Sequence, residues 1–137
     1  MTPADLARLH AAAFSKPRPW SEAEFAEQIA RADTFLISED TGFVLGRVVL
    51  DEAELLTIAV RTDARRNGAG GRLVAAFLAE AARRGAATAF LEVAADNEAA
   101  IALYRSTGFG ESGIRKGYYS CSAGGRTDAL VMFRAIG

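Results

Sequence analysis

The chain is short of the residues that most small-domain chemistry depends on: one cysteine, one histidine, three prolines and one tryptophan in 137 residues. A lone Cys121 cannot close an intramolecular disulfide, which suits a reducing cytosol. One His and one Cys, with no spaced ligand cluster around them, give no reason to expect a metal. Charge of one sign is also missing. Sixteen basic and 17 acidic side chains leave a net charge of −1, so there is no electrostatic footprint for nucleic acid. No apolar run is long enough to span a bilayer, and the N-terminus lacks a basic segment followed by a long apolar core. No membrane association is therefore expected, and the cytoplasm is the default location. Repeats and low-complexity linkers are absent too. What is left is 50% apolar and 24% charged, an ordinary globular composition. One domain over residues 1–137 is expected, with enough core to need neither metal nor disulfide.

Hydrophobic spacing supplies the elements. Leu6, Leu9 and Ala13 recur at helical intervals within residues 3–14, and Pro17 and Pro19 end that helix. A second helix follows Ser21, with Glu24 placed for a capping box and Trp20 and Phe25 for a hydrophobic staple. Residues 34–38, 42–50 and 53–60 read as strands joined by Asp40-Thr41-Gly42 and Asp51-Glu52, an antiparallel meander. A helix over residues 70–84 stops at Gly85, and residues 88–93 form a strand. Asp96 is expected to cap a helix over residues 99–106 that Gly108 terminates. Strands over residues 109–116 and 129–135 flank a small-residue loop at 120–126. Strand–helix–strand units in the middle imply some parallel pairing. The fold class is α/β of the mixed α+β kind, with helices on both faces of one central sheet.

The segment Arg65-Arg66-Asn67-Gly68-Ala69-Gly70 lies between an apolar strand and a helix. A basic, glycine-rich turn at a helix N-terminus offers uncapped amides and a favourable dipole to phosphate oxygens. It is not a P-loop, because Gly70 is followed by Gly71-Arg72 rather than Lys and Ser or Thr. It is not the dinucleotide fingerprint, because Leu73 stands where the third glycine belongs. Arg-x-x-Gly-x-Gly remains, and taken alone it fits a solvated turn that caps a helix equally well. Glu92 sits inside the apolar run Ala89-Phe90-Leu91-Glu92-Val93, where a carboxylate is costly unless paired or hydrated. It is either at a wet sheet edge or a general base. Asn97 is near enough to a helix start to be a cap, and Tyr104 is placed where an aromatic is ordinarily core.

Order and spacing join these pieces. Val93, Asn97, Ala100, Ala102, Leu103, Tyr104, Gly108 and Phe109 resemble the Leu-Glu-Val … Asn-x-x-Ala-x-x-Leu-Tyr-x-x-x-Gly-Phe signature of the GCN5-related N-acetyltransferase (GNAT) family. The turn Arg-x-x-Gly-x-Gly resembles that family's pyrophosphate-binding segment. Residues 51–60, Ile114-Arg115-Lys116-Gly117-Tyr118-Tyr119 and Pro19-Trp20-Ser21-Glu22 are similar to its RimI-like, ribosomal-protein-alanine N-acetyltransferase branch. The resemblance runs from about residue 5 to residue 134.

It implies a mixed, mostly antiparallel GNAT-like sheet and acetyl-coenzyme A as co-substrate. Arg66, Asn67, Gly68, Ala69, Gly70 and Gly71 would wrap the pyrophosphate. Ile58, Ala59 and Val60 would lie along the pantetheine, one of their N–H groups polarising the thioester carbonyl. Asn97 would bind the pantetheine arm. Glu92 would take the proton of the incoming ammonium through water, and Tyr104 would protonate the departing thiolate. Trp20, Tyr118 and Tyr119 would line the acceptor groove. The implied acceptor is a protein N-terminal α-amine, such as that of a small-subunit ribosomal protein, and the implied state is a monomer or weak dimer. Transfer to a small-molecule or lysine amine is the alternative, and a coenzyme-binding module without turnover a further one. The presence of both Glu92 and Tyr104 argues against the last.

The chain departs from the family pattern in three places. The family opens with a strand and this sequence goes almost directly into a helix at Pro3, so the first edge strand is expected to be missing. Gly71 stands where the branch carries a basic residue, with Arg72 displaced by one place. Gly117 replaces an Asn, and the loop at 120–126 is one residue longer, in the region that shapes acceptor binding.

Overall fold

Two helices lead the chain, and the sheet they cover comes entirely afterwards. The computed structural model describes residues 1–13, 19–61, 68–120 and 126–136, with only the backbone of 117–120 and 126. Helix α1 spans Pro3–Ala13 and α2 spans Glu22–Ile29. The expected capping box at α2 is complete: Glu24 N–H donates to Ser21 Oγ at 3.2 Å and Ser21 N–H donates to Glu24 Oε1 at 3.0 Å. The staple forms as well, with the Trp20 and Phe25 rings 5.2 Å apart. Together these fix the angle at which the chain enters α2.

Strands β1 (Thr34–Glu39), β2 (Gly42–Val49) and β3 (Glu52–Val60) form the antiparallel meander. After α3 (Ala69–Arg83) come β4 (Thr88–Ala94), α4 (Glu98–Ser106), β5 (Gly110–Ser120) and β6 (Arg126–Ala135). The sheet order is β1-β2-β3-β4-β6-β5, with β3 and β4 the parallel pair and the other pairs antiparallel. Among the described residues the sheet has six strands, and both leading helices precede the first of them.

Helices cover both faces, as expected. On one side α3 and α4 bury Leu73, Val74, Phe77, Ile101 and Tyr104 against Val44, Ala53, Leu55, Leu91 and Met132. On the other, α1 and α2 bury Leu6 and Phe25 against Phe43, Leu45 and Ala59. Alternation along β2 explains this directly, with Val44 facing one layer and Phe43 and Leu45 the other.

Three local readings need correction. Asn97, not Asp96, is the N-cap of α4, its side-chain oxygen accepting from Ala100 N–H at 3.2 Å. Leu50, read as the end of a strand because it is apolar, is a turn residue with φ 57 and 89% exposure. The smooth run of residues 53–60 conceals a β-bulge. Leu45 pairs with Thr57 and Gly46 with Leu55, so Leu56 has no partner across the ladder. A bulge exchanges the faces beyond it. Ala53 and Leu55 point to the α3 side, but after Leu56 it is Ile58 and Val60 that do so, and Thr57 is turned toward α1.

Candidate active site

The site arises where two neighbouring strands stop being neighbours. β3 and β4 pair only at Glu52, Ala53 and Glu54 against Thr88, Ala89 and Phe90. Beyond that point β3 stays with β2 and β4 stays with β6, so the strands part. Ligands of α/β sheets bind at the carboxyl ends of strands that separate in this way, because backbone hydrogen-bonding groups are left facing a crevice. The crevice is a cavity of about 360 Å³ with residues of both helical layers in its wall.

On the α3 side the wall is backbone and small residues. Gly68 is the N-cap of α3 at φ 77, a left-handed conformation that suits glycine, and no side chain caps the helix. The first-turn amides of α3 therefore have no intrahelical acceptor and no side-chain cap. At Gly70 an added Cβ would stand 3.0 Å from Leu103 Cδ2, so glycine lets α3 approach α4. At Gly71 an added Cβ would meet nothing within 4 Å. Arg72, one place on, turns to the end of β1 and bonds Glu39 at 2.9 and 3.3 Å. Arg65, Arg66 and Asn67 lie outside the described residues.

On the α1 side the wall is made of side chains. Alternation along β4 puts Ala89, Leu91 and Val93 in the α3/α4 core and turns Glu92 the other way. The Glu92 carboxylate is not isolated: Arg115 of β5 reaches it at 3.3 Å, with the Glu92 side chain 20% exposed. Trp20 lines the same cavity, and so do His10 and Thr57. His10 is 1% exposed, and burial lowers its pKa from 6.5 to about 4, against a small opposing effect of Glu24. It is held neutral between two partners. Trp20 N–H donates to Nδ1 at 2.9 Å, and Nε2 lies 2.7 Å from Thr57 Oγ1.

One cavity thus gathers Ile58, Ala59, Val60, Gly68, Gly70 and Gly71 with Glu92, Asn97, Tyr104 and Trp20. Ala69 is the exception among the described glycine-turn residues. Its side chain is fully buried in the core, which leaves only its backbone for a ligand. Tyr104 is 5% exposed, with its ring 6.0 Å from Phe109, so it is a core residue and a cavity residue at once. Asn97 likewise caps α4 with its oxygen, which leaves its NH2 group for other partners. Tyr118 and Tyr119 belong to β5, and their side chains lie outside the described residues, as do Cys121 and the loop around it. The sequence reading missed His10, Thr57 and Arg115 as site residues. For His10 a signal existed, since it falls with Leu6 and Ala13 on the apolar stripe of α1. Among the described residues no group of acidic, His and Cys side chains could hold a metal ion.

A strand pair that parts beside an uncapped glycine-rich helix start, with a carboxylate in the opposite wall, suits a phosphate-bearing ligand held next to a titratable group. Comparison with known proteins makes the class specific. Residues 4–109 match the model of the acetyltransferase (GNAT) family. The [ribosomal protein bS18]-alanine N-acetyltransferase of Escherichia coli K12 is 46% identical over 118 residues, spanning 83% of this chain and 79% of that protein. The N-alpha-acetyltransferase RimI of Mycobacterium tuberculosis is 36% identical over 140 residues, 96% of this chain and 85% of that one. The crystal structure of the Escherichia coli ribosomal-protein-S18-alanine N-acetyltransferase superposes with a TM-score of 0.85 at 39% identity, covering 98% of this chain and 87% of the other. The chain belongs to the acetyltransferase (GNAT) family. It is an N-acetyltransferase that uses acetyl-coenzyme A as its co-substrate.

Proposed function

We propose that the acceptor is the N-terminal α-amine of a protein, an alanine-starting ribosomal protein in particular, and that the reaction takes place in the cytoplasm. One observation carries the reading: a single cavity has an uncapped, glycine-built helix start on the α3 side and Glu92, Trp20 and Thr57 on the α1 side. A donor and an acceptor can therefore enter from opposite faces of the sheet and meet between β3 and β4. The names of the bacterial relatives, which specify an alanine of ribosomal protein bS18, support the choice of acceptor. No helix among the described residues is long and apolar enough to cross a membrane.

The bound coenzyme supplies an activated acyl thioester, and the protein supplies position and proton transfer. Gly68, Gly70 and Gly71, with the N–H of Ala69, accommodate the pyrophosphate at the helix start, as would Arg66 and Asn67 preceding them. Ile58, Ala59 and Val60 present strand backbone to the pantetheine, and an N–H of this segment donates to the thioester carbonyl. Asn97 offers its NH2 group to the same arm. Glu92 accepts a proton from the acceptor ammonium through water. This matters because an α-amine with a pKa of about 8 is largely protonated, and so not nucleophilic, at neutral pH. Tyr104, reaching the cleft from α4, returns a proton to the sulfur that leaves. Direct attack of the free amine on the thioester needs no covalent enzyme intermediate.

The test is an acceptor panel read by mass spectrometry: Ala- and Ser-starting peptides, lysine peptides with blocked N-termini, and polyamines. Acetylation at the α-amine of the Ala-starting peptide is expected. Transfer confined to polyamines or to lysine side chains would sink the assignment of acceptor while leaving the acetyltransferase class intact.

A further inference from the structure

We propose that Thr57 is an acceptor-binding residue whose hydroxyl donates a hydrogen bond to the first carbonyl of the substrate peptide, and that His10 positions it. The proposal rests on the N-terminal α-amine reading above.

Three observations lead to it. First, the bulge at Leu56 turns Thr57 out of the α3 core and onto the face of the sheet toward which Glu92 also points. Without the extra residue Thr57 would follow Ala53 and Leu55 into the apolar cluster. Second, the hydrogen bonds fix the direction of every proton in the triad. Trp20 N–H can only donate, so Nδ1 of His10 is the acceptor at 2.9 Å. A neutral imidazole with Nδ1 accepting carries its proton on Nε2. That N–H points at Thr57 Oγ1, 2.7 Å away, so the hydroxyl oxygen accepts. Third, the hydroxyl's own proton then has no acceptor among the described residues, although Thr57 is 8% exposed and lines the cavity. A buried donor of this kind is costly unless a ligand or water takes it up. The histidine thus converts an ambivalent hydroxyl into a committed donor.

The chemistry that fits is a carbonyl close to the reacting nitrogen. In a peptide the first carbonyl is two bonds from the α-amine nitrogen, through Cα. A lysine ε-amine or a polyamine has no carbonyl at that distance. A donor beside Glu92 would therefore recognise an α-amine by its neighbouring carbonyl while the carboxylate handles its proton. This gives discrimination between amine classes of the kind that polar readout provides, since the site's own donor is left unpaired by the wrong substrate.

The test compares two acceptors: an Ala-starting peptide, and the same peptide with a trans-alkene in place of its first amide. The alkene keeps the shape and removes the carbonyl. Comparing the ratio of kcat/KM between enzymes cancels the difference in amine basicity between the two acceptors. With each rate constant expressed per free amine, the wild type is expected to prefer the intact peptide by about tenfold, the value of one well-placed buried hydrogen bond. Thr57→Val, which keeps the shape and loses the hydroxyl, is expected to reduce that preference to about twofold or less, and Thr57→Ser to restore it. His10→Gln is expected to weaken the preference without raising the KM for acetyl-coenzyme A, which general loosening of the fold would raise. A wild type without preference, or a Thr57→Val enzyme that keeps the full preference, overturns the role of Thr57. A wild type that transfers to lysine or polyamines but to neither peptide defeats the α-amine reading itself, and this inference with it.

Discussion

The two helical layers meet the cleft in different ways. The α3/α4 layer packs a large apolar cluster and turns a backbone surface to the cavity: a left-handed Gly68, an uncapped helix start, and Gly70 against Leu103. The α1/α2 layer packs a smaller cluster and turns side chains to it: Trp20 and His10, with Thr57 and Glu92 on the sheet face below. Backbone recognition suits a ligand that never changes, because it depends on conformation and on the absence of side chains. Side-chain recognition suits the partner that differs from one relative to the next. The same sheet thus meets the cavity through backbone on one face and through side chains on the other.

The largest expected effect tests whether the α3 layer is the principal core. Phe77 is fully buried, and its ring is stacked on Phe35 at 5.8 Å. Phe77→Ala is expected to cost about 3–5 kcal/mol in denaturant unfolding. Leu6→Ala, in the smaller cluster, is expected near the lower end of about 2–5 kcal/mol. A greater loss from Leu6→Ala than from Phe77→Ala would invert the comparison.

Next comes the side-chain face. Glu92→Gln is expected to lower kcat/KM by about 100-fold, within the usual range for a general base. The loss should deepen at mildly acidic pH, where fewer acceptor amines are free. Thermal stabilisation by acetyl-coenzyme A should persist in the variant, since the carboxylate faces the α1 side. An unchanged pH–rate profile would remove Glu92 as the base.

These differences also explain what could be read from the sequence. The helices, the meander, the capping box at Ser21 and Glu24 and the stop at Gly85 follow from local spacing, and they stand in the structure. The start of α3 behind the glycines was legible because its signal is local: an apolar strand, glycines and a helical stripe. The bulge at Leu56 was not, because nothing in Leu55-Leu56-Thr57-Ile58 marks which residue loses its partner; β2 decides that across the sheet. The bond between His10 and Thr57 joins positions 47 apart, and the pairing of Glu92 with Arg115 depends on β6 placing β5 at the sheet's edge. Asn97 could be seen as a ligand or a cap, and the structure makes it a cap whose remaining donor is still available.

The histidine gives the face a pH signature. Its pKa is about 4 in the folded protein, against 6.5 ordinarily. Between those values the unfolded chain binds a proton that the native state does not, so stability falls as pH drops from about 6.5 toward 4 and this contribution levels off below. His10→Gln has no such group. The loss in unfolding free energy between pH 7 and pH 4.5 should therefore be smaller in the variant than in the wild type. Parallel losses would mean that the imidazole is as easily protonated in the native state as in the unfolded one.

The smallest effect is expected where the backbone face has room for a side chain. Gly71 sits in the first turn of α3 with open space beside it, and Arg72 is engaged with Glu39. Gly71→Arg adds a cation next to the amides proposed to hold the pyrophosphate. A guanidinium there is disfavoured by the helix dipole, but replacing glycine in a helix offsets this, and both effects act on the free protein's stability. The attraction to a phosphate acts on binding. An exposed charge contributes about 0.5–1 kcal/mol, so the KM for acetyl-coenzyme A should fall about two- to fivefold, with the gain shrinking as salt is raised. An unchanged KM at low salt would mean that the phosphates lie away from the first turn of α3, and that the backbone face serves another part of the coenzyme.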